Sequence, residues 1–393
     1  MLEIKGVVKH ASWGGLHHIP LMTSQNHSNI KCSEYLFTGT PSDTVRLIDS
    51  SNFCDWLKAA PEIRLGVPGV EAFGCNLPFS IKLVDVNIPR PVCLYPGPLD
   101  IEVDRNSQTR TLRSGKEKNH LDAAGQKNVI IAVSEVVLLS GFLSKKAILE
   151  KLSCSDMFSE IRDVFKKFGL KGGLSFILKI DESFATYLIK RVYEAYRSRF
   201  ENSEISTQDN LYWFLESVKY RLAIGEKLRS DIFLMLFMKV QRVKPRDVVY
   251  IESGCAFTVL NGFYFEFSSP LSNTITPTSQ SSHWPVEFLK QVDVSKGISF
   301  PLVPEMTDER TADYRVEGCF LKVTSFKLIA EELLTIPNQE FPSLWIVVKG
   351  EVMFNTQQHY SYTGSALYQR PQEFNTLVST HESFVYRFSV QVD

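Results

Sequence analysis

Few residues in this sequence have the type and spacing that metal binding, phosphate binding or acid–base catalysis requires. The adjacent pair His17 and His18 could offer imidazole to a metal, but neighbouring side chains on an extended chain point apart. No third ligand lies close by in the sequence, so we expect a surface loop. Residues 169–173, GLKGG, lack the strand, Gly-Lys step and helix of a phosphate-binding loop, which also predicts a loop. Glu266 lies inside an aromatic strand, an apolar setting that would raise its pKa as a base.

Composition argues against several classes of partner. The formal net charge of −1 gives no reason to expect nucleic acid or an acidic membrane surface. The longest apolar runs, residues 129–140 and 232–240, are shorter than the ~20 residues that span a bilayer. The N-terminus lacks the apolar core of a signal peptide, and seven cysteines without a C-x-x-C pair favour reduced thiols. We therefore expect a cytoplasmic protein.

The chain divides by composition into a β-rich part, a helical block and a second β-rich part. Before residue 145, short segments rich in β-branched and aromatic residues recur between Pro and Gly. From 145 to 244 there is no proline, and apolar residues recur at helical spacing. Strand patterns return after residue 245. The simplest architecture is a mainly β protein with a helical insert within or between β-barrels.

Four segments resemble, in their order, one enzyme family. The segments are VVKHASWGG at 7–15, NLPFSIKLVDVNIPRPVCLYP at 76–96, LDAAGQKNVIIAVSEVVLLSGF at 121–142, and KVQRVKPRDVVYIESGCAFTVLNGFYFEFSSPLSNT at 239–274. They resemble the type I phosphomannose isomerases (mannose-6-phosphate isomerases), which are zinc enzymes. This resemblance implies two cupin-like (jelly-roll) β-barrel domains plus an α-helical domain.

The resemblance also implies a division of the chain into three domains. A cupin-like barrel carrying the active-site positions would comprise residues 1–145 with 241–300. The helical domain would comprise residues 146–240. A C-terminal cupin-like β domain would comprise residues 301–393.

The metal positions of the family are all substituted in this chain. The family holds zinc with a Gln, two His and a Glu. The resemblance matches the Gln to Cys93, the first His to Tyr95, the Glu to Asn128 and the second His to Phe257. Phenylalanine has no ligand atom, tyrosine and asparagine are weak zinc ligands, and cysteine binds only as the thiolate and with partners. We therefore expect no zinc held in the family's manner.

Each substituted position has a functional and a structural interpretation. Cys93 and Tyr95 either form a re-purposed metal or redox site or fill the core from one face of a strand. Asn128 either binds a ligand or hydrogen-bonds the backbone at a strand entry. Phe257 is most simply an apolar plug where a ligand stood in the family.

Groups beyond the metal are also changed. The Arg of the family's phosphate clamp falls on Thr276, within a run of hydroxyl residues at 276–282 that either binds a sugar or solvates a turn. Glu266 is the one acidic family position that survives. It is either a catalytic base or a barrel carboxylate bonded to a neighbour.

These substitutions lead to two hypotheses of function. The first is a catalytically impaired pseudo-isomerase that needs no cofactor and binds a sugar phosphate or a protein partner through the former active-site cleft. The alternative is an active, Zn²⁺-dependent isomerase that interconverts mannose 6-phosphate and fructose 6-phosphate for GDP-mannose synthesis. Aldose–ketose isomerisation needs a base and a cation that stabilises the enediolate, so the metal positions decide between them.

Overall fold

The protein is mainly β with several helices, as expected from its sequence. The computed structural model describes residues 1–23, 29–38, 45–95, 128–153, 155–268, 284–297, 301–306, 308–315, 320–331, 333–354, 360–373 and 375–391. The strands β1 to β21 are Leu2–Lys5, Val7–Gly15, Cys32–Thr38, Arg46–Leu47, Ser80–Val86, Cys93–Leu94, Asn128–Ala132, Val136–Phe142, Met238–Val243, Val248–Ile251, Ala256–Ser268, Glu305–Met306, Thr311–Arg315, Leu321–Leu328, Leu333–Ile336, Ser343–Lys349, Glu351–Phe354, Tyr360–Tyr362, Ala366–Gln369, Asn375–Ser379 and Ser383–Val390.

The α-helices concentrate in the block where the sequence has no proline. In chain order, α1 to α9 are His18–Met22, Phe53–Ala59, Pro61–Leu65, Val67–Phe73, Lys145–Leu152, Ser159–Lys179, Glu182–Glu201, Asn210–Ala223 and Trp284–Gln291. Two 3₁₀ segments, Asp156–Phe158 and Ser230–Phe237, lie in the same block. Three of its helices begin at a side-chain cap: the oxygens of Ser144, Asp181 and Asp209 accept from backbone N–H groups of the first turn.

The loop predicted for residues 169–173 is wrong. These residues lie inside α6, which continues through them with a kink at Gly169, where φ is 70°. Only glycine adopts this conformation without strain, so the helical backbone is interrupted at Gly169 alone and resumes directly after it. Apolar packing on both sides of the kink, through Phe165 and Leu174, holds the two halves in the same core.

A nine-stranded sheet built from strands between residues 7 and 268 positions the candidate site. Its main path has the order β10-β7-β11-β5-β2-β3. The long strand β11 also pairs with β6 and β8, so it joins two parts of the sheet. One apolar cluster inside this sheet contains residues of β5, β6, β7, β8 and β11.

The C-terminal strands form an eight-stranded and a four-stranded sheet. The eight-stranded sheet has the order β12-β13-β14-β21-β16-β19-β1-β4, and the four-stranded sheet has the order β15-β20-β17-β18. The N-terminal strands β1 and β4 thus belong to a sheet built mostly from residues after 300. The division into three domains, with its boundaries, stays a prediction.

None of the helices in the described residues is long and apolar enough to cross a membrane.

Candidate functional site

Three of the four family metal positions meet across paired strands. Cys93 of β6 lies directly opposite Phe257 of β11. The rings of Tyr95 and Phe257 stack with their centroids 5.2 Å apart and an interplanar angle of 27°. All three side chains are buried in one apolar cluster. The stack lies on the interior face of this strand pair.

Asn128, the fourth position, lies on the same interior face. It is the first residue of β7 and pairs with Ser268 of β11 and Ile251 of β10. Ile130, two residues further along the strand, belongs to the cluster that contains Cys93 and Tyr95, and residues two apart share a strand face. The Asn128 side chain is fully buried, and neither its amide nitrogen nor its oxygen has a hydrogen-bond partner among the described residues. The backbone hydrogen bond expected of it is not seen.

Glu266 lies on this face too, paired with two cations. Its carboxylate is 3.2 Å from the Lys82 Nζ and 3.7 Å from the Arg90 Nη1. Burial alone would raise the pKa of Glu266, but Lys82 and Arg90 outweigh burial and hold the pKa below its usual range. The raised pKa expected of a catalytic Glu266 among its apolar sequence neighbours is therefore wrong, because Lys82 comes from another strand and Arg90 from the segment before β6.

Lys82 is placed by strand register. It lies opposite Glu266 in the antiparallel pair of β5 and β11, the arrangement in which cross-strand charges interact. Burial lowers the pKa of Lys82, but the carboxylates of Glu266 and Glu34 act in the opposite direction, and the pKa is raised overall. Lys82 is therefore a permanently charged partner of Glu266 near neutral pH.

Arg90 approaches from the proline-flanked segment before β6. Its Nη1 donates to the Tyr264 hydroxyl at 2.6 Å, its Nη2 lies 3.9 Å from Glu34, and its guanidinium lies 4.8 Å from the centre of the Trp13 ring. The backbone of Arg90 is fixed as well, because its N–H donates to a carbonyl of β11 and its carbonyl accepts from the Thr258 hydroxyl. The guanidinium is held from several sides.

The cluster of Glu34, Lys82, Arg90 and Glu266 has balanced charge, two acids and two bases. Sequence reasoning identified Glu266 alone and missed the other three. The sequence did contain a signal for Lys82. In the strand segment SIKLVDV, residues 80–86, Lys82 is the first charged residue and the next is Asp85. Val84, two residues after Lys82 and therefore on the same face of the strand, is buried. A buried strand position occupied by lysine needs an anion.

The residues at the four metal positions do not fit zinc. Burial raises the pKa of the Cys93 thiol to about 12, so it is not a thiolate near neutral pH. Burial also raises the pKa of Tyr95, and neither Phe257 nor Asn128 supplies a strong ligand atom. Across the described part of the chain, no group of three or more His, Cys, Asp or Glu side chains has the geometry to hold a metal ion.

The remaining predicted residues lie apart from this cluster. His17 and His18 stand at the start of α1, and the His18 ring stacks on Phe263 at 4.6 Å, so this is a helix start on the surface and not a loop. Thr276, like the whole run 276–282, falls outside the described residues, and its place at the family's Arg position stays a prediction.

Comparison with known proteins gives one curated relative and many similar folds. No known family profile matches the chain. A probable mannose-6-phosphate isomerase of Caenorhabditis elegans is 24% identical over 227 residues, which are 55% of this chain and 51% of the relative. The chain thus spans about half the length of the relative it matches.

The similarity of fold extends over the whole chain. A crystal structure of mannose 6-phosphate isomerase bound with zinc and yttrium has a TM-score of 0.78 at 14% identity and covers 100% of both chains. The enzyme of Salmonella typhimurium bound to fructose 6-phosphate and zinc has a TM-score of 0.77 at 15% identity, with the same coverage. Identities this low bear on the fold and not on the activity. Together with the sequence relative, they show that the chain has the fold of the phosphomannose isomerases and resembles one probable mannose-6-phosphate isomerase in part of its sequence.

Proposed function

We propose that this chain is a catalytically impaired pseudo-isomerase of cupin architecture that binds no zinc in the family's manner. The observation that carries the proposal is the packed stack of Tyr95 and Phe257 at two metal positions, beside a Glu266 carboxylate paired with two cations. Imidazole and carboxylate are absent from all four positions, and the one thiol among them is protonated.

The surviving carboxylate is a poor general base. A base that moves a proton near neutral pH works best when its pKa lies near the operating pH. The pKa of Glu266 is held below its usual range, and removing its charge by protonation would leave Lys82 and Arg90 unbalanced in the interior. Its chemistry favours an ion-pair role over proton transfer.

The wider architecture belongs to the same proposal. The nine-stranded sheet would form the cupin-like barrel of residues 1–145 with 241–300, residues 146–240 the helical domain, and residues 301–393 the second cupin-like domain. The protein would be cytoplasmic, and its former cleft would bind a sugar phosphate without turnover or contact a protein partner. Fructose 6-phosphate bound to a solved structure of the same fold is the support for a sugar phosphate.

Zinc content and isomerase activity, measured on one preparation, test the proposal. The purified full chain is analysed for zinc by elemental mass spectrometry, before and after incubation with zinc, beside a Salmonella typhimurium isomerase purified in the same way. A coupled assay then follows conversion of mannose 6-phosphate to fructose 6-phosphate with zinc present. We expect substoichiometric zinc and no turnover above the blank.

One equivalent of zinc with turnover would overturn the proposal and establish the active isomerase instead. If the protein binds zinc but shows no turnover, the assignment of the metal positions would be refuted, while the proposal that the protein is catalytically impaired would stand. A reversal variant makes the test sharper: Cys93→Gln, Tyr95→His, Asn128→Glu and Phe257→His together restore the family's ligand types. If the positions are assigned correctly, this variant should bind more zinc than the parent chain.

A further inference from the structure

The eight-stranded C-terminal sheet carries a polar patch on one face, which we call the Arg387 cluster. Its members are adjacent across strands: Thr324 of β14 lies opposite both Asp313 of β13 and Arg387 of β21, and Lys322 of β14 lies opposite Ser389 of β21. Because strand side chains alternate, these five residues share one face of the sheet. The cluster lies in a different sheet from Glu266.

Arg387 is buried without enough hydrogen-bond acceptors. Its side chain is 4% exposed, and its Nη2 donates to the Thr324 hydroxyl at 3.1 Å. Its Nε and Nη1 have no partner among the described residues, and neither has the hydroxyl of Ser389 two residues away. Buried donors are nearly always paired, so two free guanidinium donors and a free hydroxyl on one face indicate a missing acceptor.

The polar groups beside Arg387 on the same face are hydrogen-bonded to one another. Next to it, Ser343 and Trp345 both donate to the Gln369 amide oxygen, at 2.8 Å and 2.7 Å, and the Gln369 nitrogen donates to the backbone of Glu373. That network is complete within the protein. This neighbouring network is thus paired within the protein, while the Nε and Nη1 of Arg387 and the hydroxyl of Ser389 stay open.

Asp313, the acid of this cluster, already has partners other than Arg387. Asp313 accepts from the Thr324 hydroxyl at 2.6 Å and pairs with the Lys322 Nζ at 2.7 Å and with Arg315 at 3.7 Å. The cluster thus has an excess of positive charge. Burial, offset only in part by Asp313, lowers the pKa of Arg387 to about 10, which agrees with an undercompensated cation.

Solvent reaches the cluster from one side. The side chain of Arg315 is 48% exposed and that of Lys322 is 13% exposed, so these cations connect the surface with the buried Arg387. Both are paired with Asp313, and Arg315 also lies 3.9 Å from Glu305, so the three cations exceed the two carboxylates by one charge. Such a row of cations attracts small anions.

We propose that the Arg387 cluster binds a small oxyanion, the carboxylate or phosphate group of a ligand, through the Arg387 guanidinium and the Ser389 hydroxyl. Guanidinium donors match the planar and bidentate geometry of both groups. The competing interpretation is purely structural: Arg387 lies 5.4 Å from the Trp345 ring and 5.5 Å from the Phe326 ring and could serve only as a stacked cation.

Calorimetric titration of the full chain tests the site. Inorganic phosphate and acetate are titrated separately at fixed ionic strength, with chloride as the balancing anion. We expect one saturable site for at least one of them. Stronger binding of phosphate would indicate a phosphorylated ligand, and stronger binding of acetate a carboxylate ligand.

Variants separate binding from stacking. Arg387→Leu should weaken binding at least about tenfold, because it removes charge-assisted hydrogen bonds, and Ser389→Ala should weaken it a few-fold. Arg387→Lys keeps the charge but loses the planar donors, so it should also bind weakly, and it serves if the leucine variant does not fold. The matched control is Arg246→Leu, since the Arg246 guanidinium also lies over a ring, 4.1 Å from Phe384.

Two results would overturn the proposal. One is the absence of saturable binding for both anions. The other is unchanged binding in the folded variants of Arg387, which would leave the guanidinium with its stacking role alone. Lys82→Met, in the other sheet, identifies any phosphate bound near Glu266, since such binding would fall in that variant and persist in Arg387→Leu.

Discussion

The ion pairs around Glu266 give a stability prediction with a defined size. Glu266→Gln removes the charge that balances Lys82 and Arg90, 3.2 Å and 3.7 Å away, while both cations stay in the interior. Breaking a buried pair costs about 3–5 kcal/mol because the remaining charge is uncompensated. Arg90 keeps Glu34 and the Tyr264 hydroxyl as partners, so we expect about 3 kcal/mol, the lower end of that range.

Urea unfolding followed by tryptophan fluorescence measures this change, since Trp13 lies against Arg90. The double variant Lys82→Met with Glu266→Gln removes one charge of each sign and leaves the Arg90–Glu34 pair balanced. It should therefore be more stable than the sum of the two single changes predicts, by about 1–3 kcal/mol. A loss below about 1 kcal/mol for Glu266→Gln, or strict additivity of the cycle, would refute the argued role of these charges.

A surface pair of equal length provides the control. Lys227 lies 3.2 Å from Glu182, the same distance as Lys82 from Glu266, but its side chain is 80% exposed. Exposed pairs contribute little because water screens them. We expect Lys227→Met to leave the unfolding midpoint nearly unchanged while Lys82→Met lowers it. Equal effects would mean that burial does not set the strength of the pair.

Four further outcomes are expected. The pKa of Glu266 is lowered in the folded protein, so the stabilisation from its charge is fully present above the unfolded pKa of about 4.3. This stabilisation is lost as the pH falls through the folded pKa. In urea unfolding, the difference in stability between the parent and Glu266→Gln should therefore shrink below about pH 4. Phe257→Ala should lower the unfolding free energy by about 3–5 kcal/mol, because it opens a cavity beside the stacked ring. A thiol reagent should label exposed Cys75 in the native protein but label Cys93 only on unfolding, since burial raises its pKa to about 12, as peptide mass spectrometry would check. Asn210→Ala should cost about 1–3 kcal/mol in the same unfolding assay, because its buried amide donates to the backbone carbonyls of Leu236 and Met238.

The β–helical–β order was predictable because it depends on periodicity, which the sequence displays directly. Apolar residues at 3.6-residue spacing between 145 and 244 produced helices, and the alternating segments produced strands. Local rules failed at residues 169–173. The three glycines there predict a loop, but core packing through Phe165 and Leu174 keeps these residues within α6. Strand partners were not predictable in the same way: β1 pairs with β19, some 360 residues away, because hydrogen-bond register depends on the whole fold.

The candidate site was predictable in its residues and not in its electrostatics. Family resemblance brought Cys93, Tyr95 and Phe257 into one prediction, and they do pack together. The catalytic interpretation of Glu266 assigned it a raised pKa, because its sequence neighbours are aromatic. The opposite shift arises from Lys82 and Arg90, which are 184 and 176 positions earlier in the chain and lie beside it only after folding.

The family's metal ligands are absent from the four matched positions, and the positive charge next to the Glu266 carboxylate comes from protein side chains. A buried carboxylate without a cation would neutralise itself by taking up a proton, and its pKa would rise. In this fold the pKa of Glu266 is lowered, so the cation is supplied by side chains, Lys82 across the strand pair and Arg90 from the proline-flanked segment. Two covalently attached cations cannot dissociate as a metal can. A carboxylate held in this way stabilises the interior at neutral pH, and this is the role that the unfolding cycle on Lys82 and Glu266 measures.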